Sequence, residues 1–377
     1  MTYKDNKAET KRTFLPLARP DIRDEDIALV IEVLKSGMLV QGTYVEKLEK
    51  AFAEYHKVRH AIALSNGTAT LHLALKVLGI GEGDEVIVPA LSYVATANVV
   101  ELVGATCVFV DVEERTFNID PLQIEEKITP KTKAIIPVHE FGLACDIEAV
   151  MAIASKYNLY VIEDAACGLG ARQNGKLVGS FGTLGSFSLH PRKSITSGEG
   201  GVLLTDSDTL AEKLRQLRNH GIEMIDGKMN FVQAGFNYRM TDFQAALAFS
   251  QFQRFDDILS YKDELADIYL TTIQNQQFVL PFVPQDRNHT WQTFHLLLAE
   301  DCCQEQVIDQ LKASGIGANY GAQCIPAQTY YQHKYKADAA LLFPNAYKAY
   351  INGVAIPLYE RLTQNEILHI SQIINQL

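Results

Sequence analysis

No Cys-x-x-Cys pair occurs among the six cysteines, which stand at positions 107, 145, 167, 302, 303 and 324. Thiols scattered in this way read as reduced side chains of a cytosolic enzyme and suggest no zinc or other metal site. A membrane-spanning run is also missing: the most apolar stretch, Val86 to Val112, is interrupted by Ser92, Asn98, Glu101 and Gly104. The opening residues, MTYKDNKAETKRTF, lack the apolar centre of a signal peptide, so a cytoplasmic location is expected. Positive charge is in deficit, with 34 Lys and Arg against 45 Asp and Glu and a net charge of -11. The basic residues do not cluster, which argues against a nucleic-acid surface and leaves small molecules as the expected partners.

What is present describes a globular chain. Hydrophobic residues make up 47% and charged residues 21% of 377 positions, enough for a sizeable core and about two domains. No internal repeat or low-complexity segment interrupts it. Over the first two-thirds, short β-branched runs alternate with amphipathic segments: EVIVP, TCVFVDV, KAIIPVH, LYVIEDAA, LGSFSLH and GGVLLTD read as strands, and IEAVMAIASKYN as a helix. This order predicts an α/β fold with a largely parallel sheet covered on both faces and a ligand site at the carboxyl ends of its strands. The segment LARPDIRDEDIALVIEVLKSG predicts an N-terminal arm with an amphipathic helix ending at Gly37. After about Thr241 the pattern becomes helix-rich and then offers the strands TFHLLLA and VAIPLY. A large domain over 1–255 and a smaller α+β domain over 256–377 are therefore expected.

Four segments carry candidate chemistry. In ALSNGTATLHLAL a strand end meets a tight turn at Asn66-Gly67, and a helix opens at about Thr68. Free N–H groups there suit a phosphate, although an N-cap turn with no ligand has the same pattern. In LYVIEDAACGLGA the strand ends in Glu163-Asp164; these two project to opposite sides, so only one can serve the crevice. Such a carboxylate holds a cation or a protonated ring nitrogen, or else caps a helix. Tyr93, in VPALSYVATAN, follows another strand end and is able to cover a flat ring. The run FSLHPRKSITSGEGG ends a strand in one lysine, Lys193, followed by small residues that let backbone pass close to a ligand. A lysine, a carboxylate, an aromatic face and an anion-binding turn together fit pyridoxal 5′-phosphate (PLP) better than any other cofactor.

SNGTATLHLAL, PALSYVATANVV, VIEDAACGLGA, SFSLHPRKSITSGEGG and GFNYRMTDFQAAL resemble, in order, the signature segments of the DegT/StrS family of PLP-dependent nucleotide-sugar aminotransferases. The resemblance implies the aspartate-aminotransferase-type fold, PLP-dependent transferase fold type I. It implies a homodimer with shared active sites, and transfer of an amino group from L-glutamate to a nucleoside-diphosphate keto sugar, with pyridoxamine 5′-phosphate formed on the way. Carried over residue by residue, it makes Lys193 the Schiff-base lysine and Asp164 the partner of the ring nitrogen. Gly67, Thr68 and Ala69 match the phosphate turn, Ser188 a further phosphate hydroxyl and Tyr93 the stacking aromatic. Asn237 or Arg239 of FNYR is the residue contributed by the neighbouring subunit. Cys167 stands where many relatives carry Gln or His, and a thiol does not replace the hydrogen bonds of an amide. His190, three residues before the lysine, resembles members that aminate C4 of a 4-keto-6-deoxy sugar; it either contacts substrate or serves the loop. Arg192 is a candidate for substrate contact. C3 amination and a PLP-binding regulatory protein without turnover are the alternatives.

Overall fold

The structure, a computed structural model, describes residues 14–377. The polar opening stretch through Thr13 lies outside the described residues. Two helices start the described chain, α1 (Asp24–Ser36) and α2 (Thr43–His56). As the pattern predicts, α1 stops at Gly37, whose φ of 73° lies in the left-handed region that a Cβ would disfavour. The arm is tied down by charge: Arg254 forks onto both carboxylate oxygens of buried Asp26 at 2.7 and 2.8 Å.

The centre of the molecule is a seven-stranded sheet built from β1 (His60–Leu64), β2 (Glu85–Pro89), β3 (Thr106–Val110), β4 (Thr132–Ile135), β5 (Tyr160–Asp164), β6 (Leu184–Ser188) and β7 (Gly201–Thr205). Their spatial order is β1-β7-β6-β5-β4-β2-β3. Strands β2 to β6 pair in parallel, whereas β7 is antiparallel to both of its neighbours. The predicted strands are therefore present, and most are buried on both faces, which is why they read as continuous apolar runs.

Helices α3 (Gly67–Val77), α4 (Ala95–Leu102), α5 (Ile147–Tyr157) and α6 (Asp208–Arg218) cross between strands. One core packs α3 and α4 on the sheet through Leu71, Leu75, Val88, Val99 and Leu203. A second core, on α2 and on α7 (Asp242–Phe252), gathers Leu48, Phe52, Phe187 and Val202. Each such fully buried side chain contributes roughly 1.5–3 kcal/mol.

One element falls outside the predicted alternation: a hairpin of β8 (Ile222–Ile225) and β9 (Lys228–Phe231) turning at Asp226-Gly227. The segment FQAALAFSQFQRFDDILSYKDELADIYL forms two helices, α7 and then α8 (Phe255–Thr272), parted at Gln253 and Arg254 where the guanidinium reaches back to α1. Beyond it, β10 (Phe278–Val279), β11 (Phe294–Leu298) and β12 (Gly353–Ile356) form an antiparallel sheet. Leu265, Tyr269, Leu296, Ile356 and Ile370 make its core. Residues 322–349 return to the first core, and Gln323–Cys324 pairs with the two-residue strand Leu91–Ser92.

Candidate active site

Parallel strand order brings the carboxyl ends of β2, β4, β5 and β6 to one edge, and the two acidic residues closing β5 take different roles there. Glu163 faces protein: its Oε2 accepts from His139 Nε2 at 3.1 Å and Gly179 N at 2.7 Å, and its Oε1 from Phe181 N and Gly182 N at 2.7 Å each. The His139 Nδ1 accepts from Cys145 N at 3.1 Å, which leaves the proton on Nε2. Burial pushes the Glu163 carboxyl up, but His139 and the backbone donors outweigh it and hold the group below the usual carboxylate range. Glu163→Gln would set an amide NH2 against backbone N–H donors and should cost about 3 kcal/mol at pH 7. A lowered folded value stabilises above the ordinary carboxyl range and is lost as pH falls through it. Urea unfolding of the two proteins should therefore show the gap closing toward acid pH.

Asp164 faces the crevice, as alternation along the strand requires. Its Oδ2 accepts from Thr96 Oγ1 at 2.9 Å and its Oδ1 from Ala166 N at 3.2 Å. Ser92 Oγ lies 2.9 Å from the same Thr96 hydroxyl, so a hydroxyl chain runs from the Leu91–Ser92 strand to the carboxylate. Burial pushes Asp164 up, and the Thr96 and Ala166 hydrogen bonds, then the charge of Lys193, only partly reverse this. A buried carboxyl in this condition gains from a cationic partner such as a protonated ring nitrogen. Tyr93, on the same turn as Thr96, is 68% exposed.

Lys193 lies on the loop between β6 and β7. A turn places it: Lys193 N donates to His190 O at 2.8 Å, with Pro191 at the position where its fixed φ suits a turn. The loop is pinned farther on, where Gln251 brackets Thr196 by accepting from its N at 3.1 Å and donating to its O at 2.7 Å. The Lys193 Nζ donates to Cys167 Sγ at 3.1 Å. Burial pushes the Cys167 thiol up, which keeps it a thiol beside the amine. A second amine stands close by: Lys262 of α8, buried and pulled down by that burial, donates to Ser194 Oγ at 3.0 Å.

The turn before α3 is capped by Asn66, whose Oδ1 accepts from Ala69 N at 2.8 Å. Thr70 N is taken by Asn66 O. The N–H groups of Gly67 and Thr68 have no such partner within the described chain, and they head an eleven-residue helix. A Cβ on Gly67 would stand 2.9 Å from Ser188 Cβ, so only glycine lets the turn and the end of β6 close into one cradle. An orphan pair of amides, a hydroxyl, a buried carboxyl and a lysine at one sheet edge fit PLP.

Lys193, Cys167 and Asp164 thus come together, with Gly67, Thr68 and Ser188 in one cradle. Arg239 is placed differently: its Nη1 donates to Asn219 Oδ1 at 2.6 Å and its backbone bridges Leu64. Asn237 is exposed and bridges Asn219 through its backbone. Exposed His190 accepts from Arg192 N at Nδ1, 3.3 Å, and Arg192 O accepts from Gln292 Nε2 at 2.9 Å. Thr96, His139 and Lys262 have no motif of their own in the sequence. Only the strict-alternation rule that separates Glu163 from Asp164 hints at a second, structural carboxyl with its own partner.

Comparison with known proteins agrees with this geometry. The chain is 36% identical over 373 residues to the spore coat polysaccharide biosynthesis protein SpsC of Bacillus subtilis, covering 95% of this chain and 96% of the relative. It is 38% identical over 369 residues to GDP-perosamine synthase of Caulobacter vibrioides, covering 96% and 98%. The solved PLP form of Spr1654 from Streptococcus pneumoniae superposes with a TM-score of 0.91 at 28% identity, covering 96% of this chain and 98% of that one. Residues 20–375 match the model of the DegT/DnrJ/EryC1/StrS aminotransferase family. The chain belongs to that family and is a PLP-dependent aminotransferase of fold type I.

Proposed function

We propose that this sugar aminotransferase moves the amino group of L-glutamate to C4 of a nucleotide-linked 4-keto-6-deoxy sugar that serves surface polysaccharide or glycoconjugate synthesis. The observation that carries the transfer chemistry is the meeting of Lys193, Cys167 and Asp164 at one sheet edge, with the Nζ–Sγ contact at 3.1 Å. The histidine of HPRKSITSGEGG supports C4, and the spore coat and GDP-perosamine names of the two relatives support the sugar class.

When bound, PLP supplies an aldehyde that accepts amines and an electron-poor ring that stores an electron pair. The protein's share is positioning and proton movement. Lys193 Nζ would be the amine that holds the aldehyde and, as a free amine, the base placed for the α-proton of glutamate. Asp164 presents a buried anion to the ring nitrogen, oriented by Thr96. The Gly67 and Thr68 amides, with Ala69 in the same first turn and the Ser188 hydroxyl, would hold the phosphate, and Tyr93 would cover the ring. Cys167 stands beside the reacting amine, and His190 and Arg192 form the rim that the sugar nucleotide passes.

We place a second copy of the chain at this site. The β8–β9 hairpin exposes Met224 by 62% and Phe231 by 69%, with Ile225, Met229 and Val232 beside them. An apolar hairpin of this kind gains from burial against a partner, and it leads directly into Asn237 and Arg239, the residues proposed to reach the neighbouring site. On this reading residues 1–255 bind the cofactor and residues 256–377 form the smaller part, starting within the first turn of α8. The six unpaired cysteines support a cytoplasmic enzyme, and no described helix is long and apolar enough to cross a membrane.

A coupled assay with glutamate and a panel of nucleotide-linked 4-keto-6-deoxy and 3-keto sugars tests the reading. Release of 2-oxoglutarate with the 4-keto compounds is the expected result. Consumption of 3-keto compounds alone overturns the carbon assignment. A bound chromophore unchanged by glutamate overturns amino transfer itself.

A further inference from the structure

The stretch from Phe14 to Asp21 is a strap fastened at both ends. Leu15 N donates to Gly315 O at 2.8 Å, and Leu15 O accepts from Gly317 N at 2.7 Å. A Cβ on Gly317 would stand 2.6 Å from Leu17 N, so glycine is what lets the strap lie this close. At the other end Asp21 meets Arg23 Nε at 2.6 Å and Arg361 Nε at 3.1 Å, while its carbonyl accepts from Arg254 Nη2 at 2.9 Å.

Between these fastenings the strap borders a cleft of about 230 Å³, part of it open to solvent. Leu17 and Ala18 line it from the strap, Ile356 and Leu358 from the end of β12 and just beyond, Gln292 and Thr293 from the turn into β11, and Arg192 from the β6–β7 loop. The lining is therefore apolar on most sides, with one cation and no carboxylate. Its amide and hydroxyl are already engaged: Gln292 Nε2 donates to Arg192 O at 2.9 Å, and Gln292 Oε1 accepts from Thr293 Oγ1 at 2.9 Å. The guanidinium differs. Among the described residues the nearby ion pairs join Asp21 to Arg23 and Arg361, and Asp26 to Arg254, and none includes Arg192. An arginine beside apolar walls without a counter-charge gains most from a ligand that brings a carboxylate.

Contacts tie this cleft to the reactive amine. Gln292 reaches the backbone of Arg192, and Thr290 Oγ1, two residues earlier, lies 3.5 Å from Cys167 O. Cys167 Sγ in turn receives Lys193 Nζ at 3.1 Å. One short segment, 290–293, thus borders both places, and Arg192 directly precedes the lysine.

Size and charge decide between the two substrates. Sites for whole small-molecule ligands usually span about 300–1,000 Å³, and this cleft falls below that range. It also offers one cation to the two phosphates of a nucleotide sugar. A short aliphatic chain ending in one carboxylate matches it better, with methylenes against Leu17, Ala18, Ile356 and Leu358 and the charge at Arg192. We propose that the cleft receives the side chain of the amino donor and that Arg192 is the specificity residue for its distal carboxylate. The inference rests on the proposed transfer from L-glutamate, and it states how the chain tells that acid from its neutral amide.

The test follows the first half-reaction of the holoenzyme, read as the absorbance change of the bound chromophore after rapid mixing with glutamate or glutamine. Wild type should favour glutamate by about 100-fold, the discrimination that a charge-assisted hydrogen bond supplies. Arg192→Met should reduce the preference to within about fivefold through loss of the glutamate reaction, and Arg192→Lys should restore part of it. A preference that survives Arg192→Met overturns the proposal. So does a loss that falls equally on the second half-reaction, with the keto sugar, because the arginine would then serve the diphosphate. A measurement without variants is calorimetry of the wild-type holoenzyme with glutarate, the same diacid lacking the amine, and with valerate, a monoacid of equal length. Glutarate should bind at least about tenfold tighter, and equal affinities overturn the proposal. A wild-type chromophore that answers neither donor overturns amino transfer and this inference with it, whereas equal answers to both overturn the inference alone.

Discussion

Lys193→Ala should lower amino transfer by at least about ten-thousandfold, because on the proposed assignment it removes both the amine for the cofactor aldehyde and the base for the α-proton. The loss should be confined to chemistry. In the cofactor-free chain the Lys193 Nζ makes one hydrogen bond, to Cys167 Sγ, and the loop is held by backbone and Gln251 contacts that the substitution leaves alone. The melting temperature of the cofactor-free variant should therefore stay within a few degrees of wild type, by about the shift that 1 kcal/mol produces. Borohydride reduction of the holoprotein should add the mass of the cofactor to the Lys193 peptide in wild type and not in the variant. Retention of 2-oxoglutarate release, or cofactor mass trapped on another lysine such as Lys262, would show that the reactive amine has been misassigned.

Asp164→Asn should cut turnover by about 100- to 1,000-fold while leaving the fold intact. The amide is nearly isosteric and still accepts one of the two hydrogen bonds that Thr96 and Ala166 donate. What disappears is the anion proposed to keep the ring nitrogen protonated. The stability consequence has the opposite sign to that for Glu163. Burial raises the Asp164 carboxyl in the cofactor-free chain. A raised acid group favours the folded state only while protonated, and stability falls as pH rises from the ordinary carboxyl value through the raised one. The asparagine variant escapes that fall. At pH 7 its unfolding free energy should lie within about 1 kcal/mol of wild type, the lost hydrogen bond offsetting the relieved charge. Turnover and urea unfolding measured on the same preparation check both halves. A variant that keeps full turnover would remove Asp164 from the ring nitrogen.

Much of this was legible in the order of residues. Strands β2 to β6 are apolar runs of five or so residues because helices cover both faces, and that burial is what makes them visible. Asp164 stands out because it closes such a run, and Lys193 because it lies in the short segment after one. The β8–β9 hairpin is harder to see because its strands are short and carry exposed Met224, Met229 and Phe231, so no alternation of buried and exposed positions marks them. Its one sequence signal is Asp226-Gly227, both at positive φ and suited to a two-residue hairpin turn. Thr96 and His139 are silent for another reason. They act on residues 68 and 24 positions away, through a juxtaposition created only when β2, β4, β5 and β6 line up. Arg239 is oriented within its own chain by its bond to Asn219, a partner that its motif does not reveal.

The direction of β7 has a mechanical meaning. Because that strand returns alongside β6 instead of crossing over a helix, the segment bearing the reactive amine is anchored at both feet in the middle of the sheet. The ladder fixes where the loop starts and ends, and Gln251 pins it at Thr196, so the lysine is held within a short reach of the sheet edge.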